Sequence, residues 1–147
     1  MQMCVVLTEQ TIDVESVQQK VTHRNAGAIV LFLGTVREMT GDKKTCYLKY
    51  EAYSSMALKK MQQIVDEIEL KWPNTRTAIT HRIGELQISE LAVVIAVSSP
   101  HRKDAYVANE YAIERIKEIV PIWKKEHWED GTEWIGNQRQ TVAGEPL

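Results

Sequence analysis

The sequence predicts an α+β fold built on a largely antiparallel sheet. Seven or eight short apolar or alternating runs read as strands, and three segments carry helical periodicity. The two kinds do not alternate as strict βαβ units would, which disfavours a parallel sheet.

The elements follow in order. Cys4-Val5-Val6-Leu7 reads as a short strand. Asp13 is placed to cap a helix carrying Val14, Val17 and Val21 on one face. Asn25-Ala26-Gly27 signals a turn. Ala28 to Leu33 is continuously apolar, as in a strand buried on both faces or a core strand. Gly34-Thr35-Val36-Arg37 ends it, and Met39 to Lys44 reads as a polar, mobile loop. Cys46 to Ala52 forms the next strand.

Ser54 or Ser55 caps the clearest helix. Its stripe is Ala57, Met61, Ile64, Ile68 and Trp72, at spacings of three and four, and Pro73 stops it. Thr77 to Ile83 and Glu90 to Ser98 read as strands joined through Gly84-Glu85-Leu86. A second long helix runs from about Arg102 to Val120, with Ala105, Ala108, Ala112, Ile116 and Ile119 on its buried side. Asp130-Gly131 forms the core of a hairpin turn pairing Lys124–Trp128 with Glu133–Ile135. The organisation expected is one domain over residues 1–135 and a flexible tail over residues 136–147.

Charge balance narrows the function classes. The 18 basic against 20 acidic side chains give no global attraction to nucleic acid or membrane, so any anion binding is local. No apolar run approaches the roughly 20 residues needed to span a bilayer. The first residues are too short and uncharged an apolar stretch for a signal peptide, so a cytoplasmic location is expected. Cys4 and Cys46 are expected to be free and buried, although sequence alone does not exclude a bridge. The four histidines lack zinc-type spacing, so no metal site is expected. Glycine-rich phosphate loops and recognisable nucleophile motifs are absent.

Three cationic constellations stand out. The first surrounds Pro121: Lys117 falls in the last helical turn, and Lys124 and Lys125 lie just beyond the break. Each lysine alone has an ordinary explanation in the helix dipole or in edge-strand protection. The second is Ser98-Ser99-Pro100-His101-Arg102, where a strand gives way to a helix N-terminus. Free N–H groups, a guanidinium fork and an imidazole suit a phosphate there. The third is Arg37, at a strand end before a loop. His81-Arg82 is a similar pair, but its alternation with Ile79 and Ile83 favours a structural role. Arg102 and Lys117 sit about 22 Å apart along one helix, so one small ligand does not span both. Either the ligand is long, the sites are separate, or a second subunit supplies one group. Lysine is the best reactive side chain available, through charge, proton donation or attack on a carbonyl.

Five motifs in order resemble the large, catalytic subunit of the molybdopterin synthase family. They are Phe32-Leu33-Gly34-Thr35-Val36-Arg37, Tyr50-Glu51-Ala52-Tyr53 with Met56-Ala57, His81-Arg82-Ile83-Gly84-Glu85-Leu86, Ser99-Pro100-His101-Arg102, and Pro121-Ile122-Trp123-Lys124-Lys125-Glu126. The resemblance covers roughly Gly27 to Ile135. It implies an α/β-hammerhead type of fold and a homodimer of large subunits. Each would bind one small, ubiquitin-like sulfur-carrier subunit ending in a Gly-Gly thiocarboxylate, giving a heterotetramer. Two sulfurs then pass in succession to cyclic pyranopterin monophosphate, forming the dithiolene of molybdopterin, with no cofactor.

By position, the resemblance makes Lys117 and Lys124 the catalytic lysines. Thr35, Val36 and Arg37 become a substrate-contacting segment. His101 and Arg102 become an anion-binding pair contributed across the dimer, and Lys125 and Glu126 flank Lys124 in the same wall. No cysteine lies in these motifs, so sulfur need not pass through this chain. Gly144-Glu145-Pro146-Leu147 is not a Gly-Gly terminus, so a separate carrier is expected. The competing reading is a non-catalytic module that recognises a phosphorylated metabolite. Nucleic-acid binding ranks lower, because the tryptophans beside the lysines alternate as core-packing hairpin residues do.

Overall fold

The computed structural model describes residues 3–137. Its elements are β1 (Val5–Thr8), α1 (Val14–Gln19), β2 (Ala28–Thr35), β3 (Met39–Thr40), β4 (Lys43–Ala52), α2 (Ser54–Lys71), β5 (Arg76–Arg82), β6 (Gly84–Gln87), β7 (Leu91–Ser99), α3 (Arg102–Ile119), β8 (Ile122–Trp128) and β9 (Glu133–Asn137). One sheet has the order β1-β5-β7-β2 and the other β3-β4-β8-β9, with β6 also paired to β4. Among the described residues only β1 and β5 pair in parallel, and every other pairing is antiparallel. The α+β fold with a largely antiparallel sheet is therefore what the chain adopts.

The first sheet carries helices on both faces. Strand β7 lies at its centre and is buried almost throughout. On one side α2 and α3 pack Met61, Ile64, Ile68, Ala108, Ala112 and Ile116 against Ile79, Ile95 and Val97. On the other, short α1 covers Ala78, Val94 and Ala96 with Val17 and Val21. Alanines at three positions of the α3 stripe let the helix approach the sheet closely. Asn109, unforeseen among them, donates from Nδ2 to the Val30 and Ile95 carbonyls at 2.9 and 3.1 Å. A small third core of Val36, Leu48, Leu86 and Ala92 joins the two sheets.

Several expectations need correction. Ala28–Leu33 is not buried on both faces. It lies in edge strand β2, and Leu31 and Leu33 are exposed because six-residue α1 packs on β5 and β7 instead. The expected loop at residues 39–44 is a tight hairpin, with Met39 and Thr40 paired to Lys44 and Lys43 around Gly41, whose φ is 62°. One of its polar residues, Thr40, makes a buried contact with Glu126. Both cysteines are free but exposed. Cys46 falls at a register irregularity between Thr45 and Tyr47, which leaves it outside the paired register. Neither Ser54 nor Ser55 caps α2; Tyr53 is the N-cap, without a side-chain bond, and its N–H donates to the Pro121 carbonyl at 3.2 Å. The Asp13 cap does form, accepting from the Ser16 N–H at 3.5 Å. Strand β9 includes Gly136 and Asn137, expected in the tail; residues 138–147 lie outside the described residues.

His81 has the structural role its alternation suggested. It is buried, its Nδ1 lies 2.8 Å from the Arg82 carbonyl, and its ring meets Tyr50 edge-on at 5.0 Å. Burial pushes its pKa down to about 4.

A polar clamp ties α2 to α3. Glu67 accepts from Tyr111 Oη at 2.6 Å and from Arg115 through both oxygens, at 3.0 and 2.9 Å. The Arg115 bonds hold the Glu67 pKa down at about 2. Because the folded-state value lies below the unfolded one, the clamp contributes fully above the usual 4.5 and fades as pH falls toward 2. Arg115→Ala should lower stability at pH 7 by about 1 kcal/mol, a value reduced by solvent screening of a pair about a quarter exposed. Urea denaturation from pH 7 to pH 3 should show that this difference shrinks as the solution is acidified.

Candidate active site

The site forms where α3 gives way to β8. A residue preceding proline is driven out of the helical region, and Val120 is extended, with φ −85° and ψ 123°. Its N–H still donates to the Ile116 carbonyl at 3.1 Å, closing the last turn. Ile122 then enters the main core and starts β8 between β4 and β9. The chain reversal leaves Lys117 in the final helical turn, half-buried, near the Lys124 ammonium.

Alternation along β8 sorts its side chains. Ile122, Lys124 and Glu126 share one face, and Trp123, Lys125 and His127 the other. Glu126 is only 3% exposed. Its Oε1 accepts from Thr45 Oγ1 at 2.9 Å and Thr40 Oγ1 at 3.2 Å. Its Oε2 lies 3.4 Å from Lys124 Nζ. Lys124 also stands over the Trp134 ring, 5.5 Å from its centre. Across the strand from Lys124 is Tyr50, whose phenol is pushed up to about 12 by burial and by the Glu126 charge. Lys125 points away and pairs with Glu133 at 3.1 Å.

Arg37 reaches the same region from β2. The register shift at Gly34/Thr35 releases the strand from β7. A side chain at Gly34 would press to 2.6 Å from Val93 Cγ1, so only glycine lets the two strands stay close there. Thr35 is exposed. Val36 turns inward to the third core, held by its N–H to the Glu90 carbonyl at 3.0 Å and by Ser89 N–H to its own carbonyl at 2.8 Å. Arg37 emerges exposed, close enough to act on Lys117. Burial lowers the Lys117 pKa most; Lys124 and Arg37 lower it further, opposed by Glu114.

His101 and Arg102 do not join this group within one chain. They stand exposed at the opposite end of the 18-residue α3. Their corner is fixed by Ser99, whose Oγ donates to the His101 carbonyl, and by Gly27. The Gly27 N–H donates to the Ser99 carbonyl at 3.0 Å, and a Cβ there would come within 2.2 Å of the Pro100 oxygen. The structure thus gathers Arg37, Lys117, Lys124 and Glu126, and leaves Lys125, Val36, His101 and Arg102 elsewhere. Sequence reasoning missed Thr40, Thr45 and Tyr50 as neighbours of this cluster. Period-two alternation could have separated Lys125 from Lys124. The irregularity in β4 hid the pairing of Thr45 with Glu126.

Residues 7–119 match the family described as MoaE protein, more than half of the chain. The chain belongs to the MoaE family. The molybdopterin synthase catalytic subunit of Halalkalibacterium halodurans is 61% identical over 137 residues, which is 93% of this chain and 88% of that protein. A crystal structure of molybdopterin synthase from Staphylococcus aureus superposes with a TM-score of 0.86 at 60% identity, covering 89% of this chain and 95% of that one. A complex of subunits 1 and 2 of the molybdopterin-converting factor of Helicobacter pylori shares the fold, with a TM-score of 0.76 at 18% identity over 97% of this chain and 98% of that one. Among the described residues of this MoaE-family chain, no group of three or more His, Cys, Asp or Glu could hold a metal ion, and no helix is long and apolar enough to cross a membrane.

The electrostatic coupling can be measured. Lys124→Gln removes a cation that disfavours protonated Lys117, so Lys117 should titrate at higher pH than in the unaltered protein. NMR titration of the Lys117 side chain checks this; an unmoved or lowered midpoint would contradict the proximity of the two amines.

Proposed function

We propose that this chain is the catalytic, sulfur-transferring subunit of a molybdopterin synthase. The observation that carries the reading is the convergence of Arg37, Lys117 and Lys124 at the α3–β8 reversal of a MoaE-family chain. Its partner is a small ubiquitin-like carrier whose C-terminal thiocarboxylate donates sulfur, and its substrate is cyclic pyranopterin monophosphate. The enzyme works in the cytoplasm.

Both reactants are anionic, and the cluster suits that. Lys124 and Arg37 attract and orient the thiocarboxylate and the phosphate. Charge developing as sulfur attacks the pterin side chain and the cyclic phosphate opens is stabilised by fixed cations in a partly buried site. Lys117 has the lowered pKa that suits proton exchange with the reacting groups. Thr35 lies beside Arg37 on the approach, and Val36 sets the angle at which Arg37 leaves the sheet. Glu126 acts on the reaction by its contact with Lys124, whereas Lys125, on the other face of β8, steadies the strand through its pair with Glu133. The thiocarboxylate sulfur bonds to a pterin side-chain carbon as the cyclic phosphate oxygen leaves it. Water then cleaves the carrier–sulfur thioester to give the carrier carboxylate and a pterin thiolate. A second carrier delivers the second sulfur to the adjacent carbon, whose oxygen departs as water.

His101 and Arg102 complete the anion site from a second copy of the chain in a homodimer, the core of a heterotetramer. The support is geometric: about 22 Å of helix separates them from Lys117 in their own chain.

Reconstitution with thiocarboxylated carrier and cyclic pyranopterin monophosphate tests the reading. Dithiolene product is expected, and its absence with both partners demonstrably bound would overturn it. Lys117→Ala and Lys124→Ala should each slow product formation by about 100-fold or more, the scale for loss of one preorganised charge-stabilising group. Subunits carrying Arg102→Ala mixed with subunits carrying Lys117→Ala should regain activity, because each mixed dimer rebuilds one intact site. Inactive mixed dimers, confirmed as mixed by native mass spectrometry, would rule out sharing.

A further inference from the structure

Two buried hydroxyls control the carboxylate beside Lys124. Thr45 and Thr40 are 1% and 4% exposed, so neither hydroxyl serves solvent. Both are directed at Glu126 Oε1, at 2.9 and 3.2 Å. Among the described residues, none donates a hydrogen bond to Glu126 Oε2. Lys124 Nζ stands 3.4 Å from it, beyond the 2.7–2.9 Å typical of a charge-assisted hydrogen bond. Among the described residues, Lys117 from α3 faces Lys124, Tyr50 from β4 faces Glu126, and Arg37 after β2 lies next to Lys117.

A buried carboxylate must find donors. Here two neutral donors satisfy one oxygen, so the carboxylate need not draw Lys124 into a short bond. Oε2 still orients the ammonium, yet leaves its protons available to a ligand. We propose that Thr40 and Thr45 are positioning residues that hold Glu126 where it orients Lys124 without sequestering it. The β3–β4 hairpin thereby sets the state of a lysine two strands away from β3. The consequence for turnover rests on the sulfur-transfer reading; the effect on Lys124 itself does not.

Valine matches threonine in shape and removes only the hydroxyl. In Thr40→Val/Thr45→Val, Glu126 is left with Lys124 as its nearest donor and should capture it. Lys124 acylation by dilute acetic anhydride, followed by peptide mass spectrometry, should slow roughly tenfold, the effect of one added charge-assisted hydrogen bond. The Thr40→Ser/Thr45→Ser protein should react near the original rate. Unchanged or faster labelling in the folded valine protein, or equal slowing in the serine protein, overturns the proposal. Should the double valine variant fail to fold, Thr45→Val against Thr45→Ser is read by the same criteria. In reconstituted turnover, the valine pair should lower kcat and the serine pair restore most of it; full turnover despite slowed labelling overturns the link to catalysis. Absence of turnover in the unaltered protein with both partners bound would overturn the sulfur-transfer reading, while the labelling result would still decide the role of the threonines.

Discussion

The break between α3 and β8 is the constraint on which the rest of the structure depends. Pro121 forbids Val120 the helical conformation, and the helix must close on the Ile116 carbonyl. Ile122 is then drawn into the main core, which commits the following residues to a strand between β4 and β9. The Pro121 carbonyl also receives the Tyr53 N–H, so the start of α2 is tied to the same corner. One backbone prohibition therefore fixes the relation of two helices and one sheet. It also places a helix lysine beside a strand lysine.

Bringing cations together is unfavourable, and the surrounding protein has to sustain it. Burial and the charges of Lys124 and Arg37 weaken the hold of Lys117 on its proton, while Glu114 acts the other way. Glu126 supplies the compensating negative charge near Lys124, at the cost of burying a carboxylate. The hydroxyls of the β3–β4 hairpin meet that cost with hydrogen bonds. The result is a local positive site in a chain whose net charge is −2. An anion would complete the balance of charge.

Periodicity made α2 and α3 legible in the sequence, because their stripes of Ala57, Met61, Ile64 and Ile68, and of Ala105, Ala108, Ala112 and Ile116, face one core. The hairpin turn at Asp130-Gly131 was legible from turn chemistry. Strand β2 was misread because an apolar run reports hydrophobicity, not what covers it; short α1 leaves Leu31 and Leu33 uncovered. Residues 39–44 read as a loop because the hydroxyl of Thr40 satisfies Glu126, 86 positions later in the chain, a contact that no local pattern encodes. At the site, the lysines and Arg37 were visible as residue types in suggestive places. Which lysine faces which way depended on strand alternation, and the depressed affinity of Lys117 for protons depended on burial.

Strand β8 places two adjacent lysines on opposite faces of one sheet, and this makes alignment itself part of the chemistry. A slip of one position would present Lys125 where Lys124 belongs and turn Glu126 out to solvent. The substituted lysine would have no carboxylate two residues on, since His127 would take that place. Neighbours on both sides prevent the slip: β4 and β9 both clasp β8 through defined pairs, Tyr50 and Gly136 flanking Lys124. The hairpin after β8 thus acts as a ruler. An insertion or deletion between Pro121 and Lys124 would be misfiled by the sheet rather than absorbed by a loop. The spacing of this segment is as much a functional property as the residues in it.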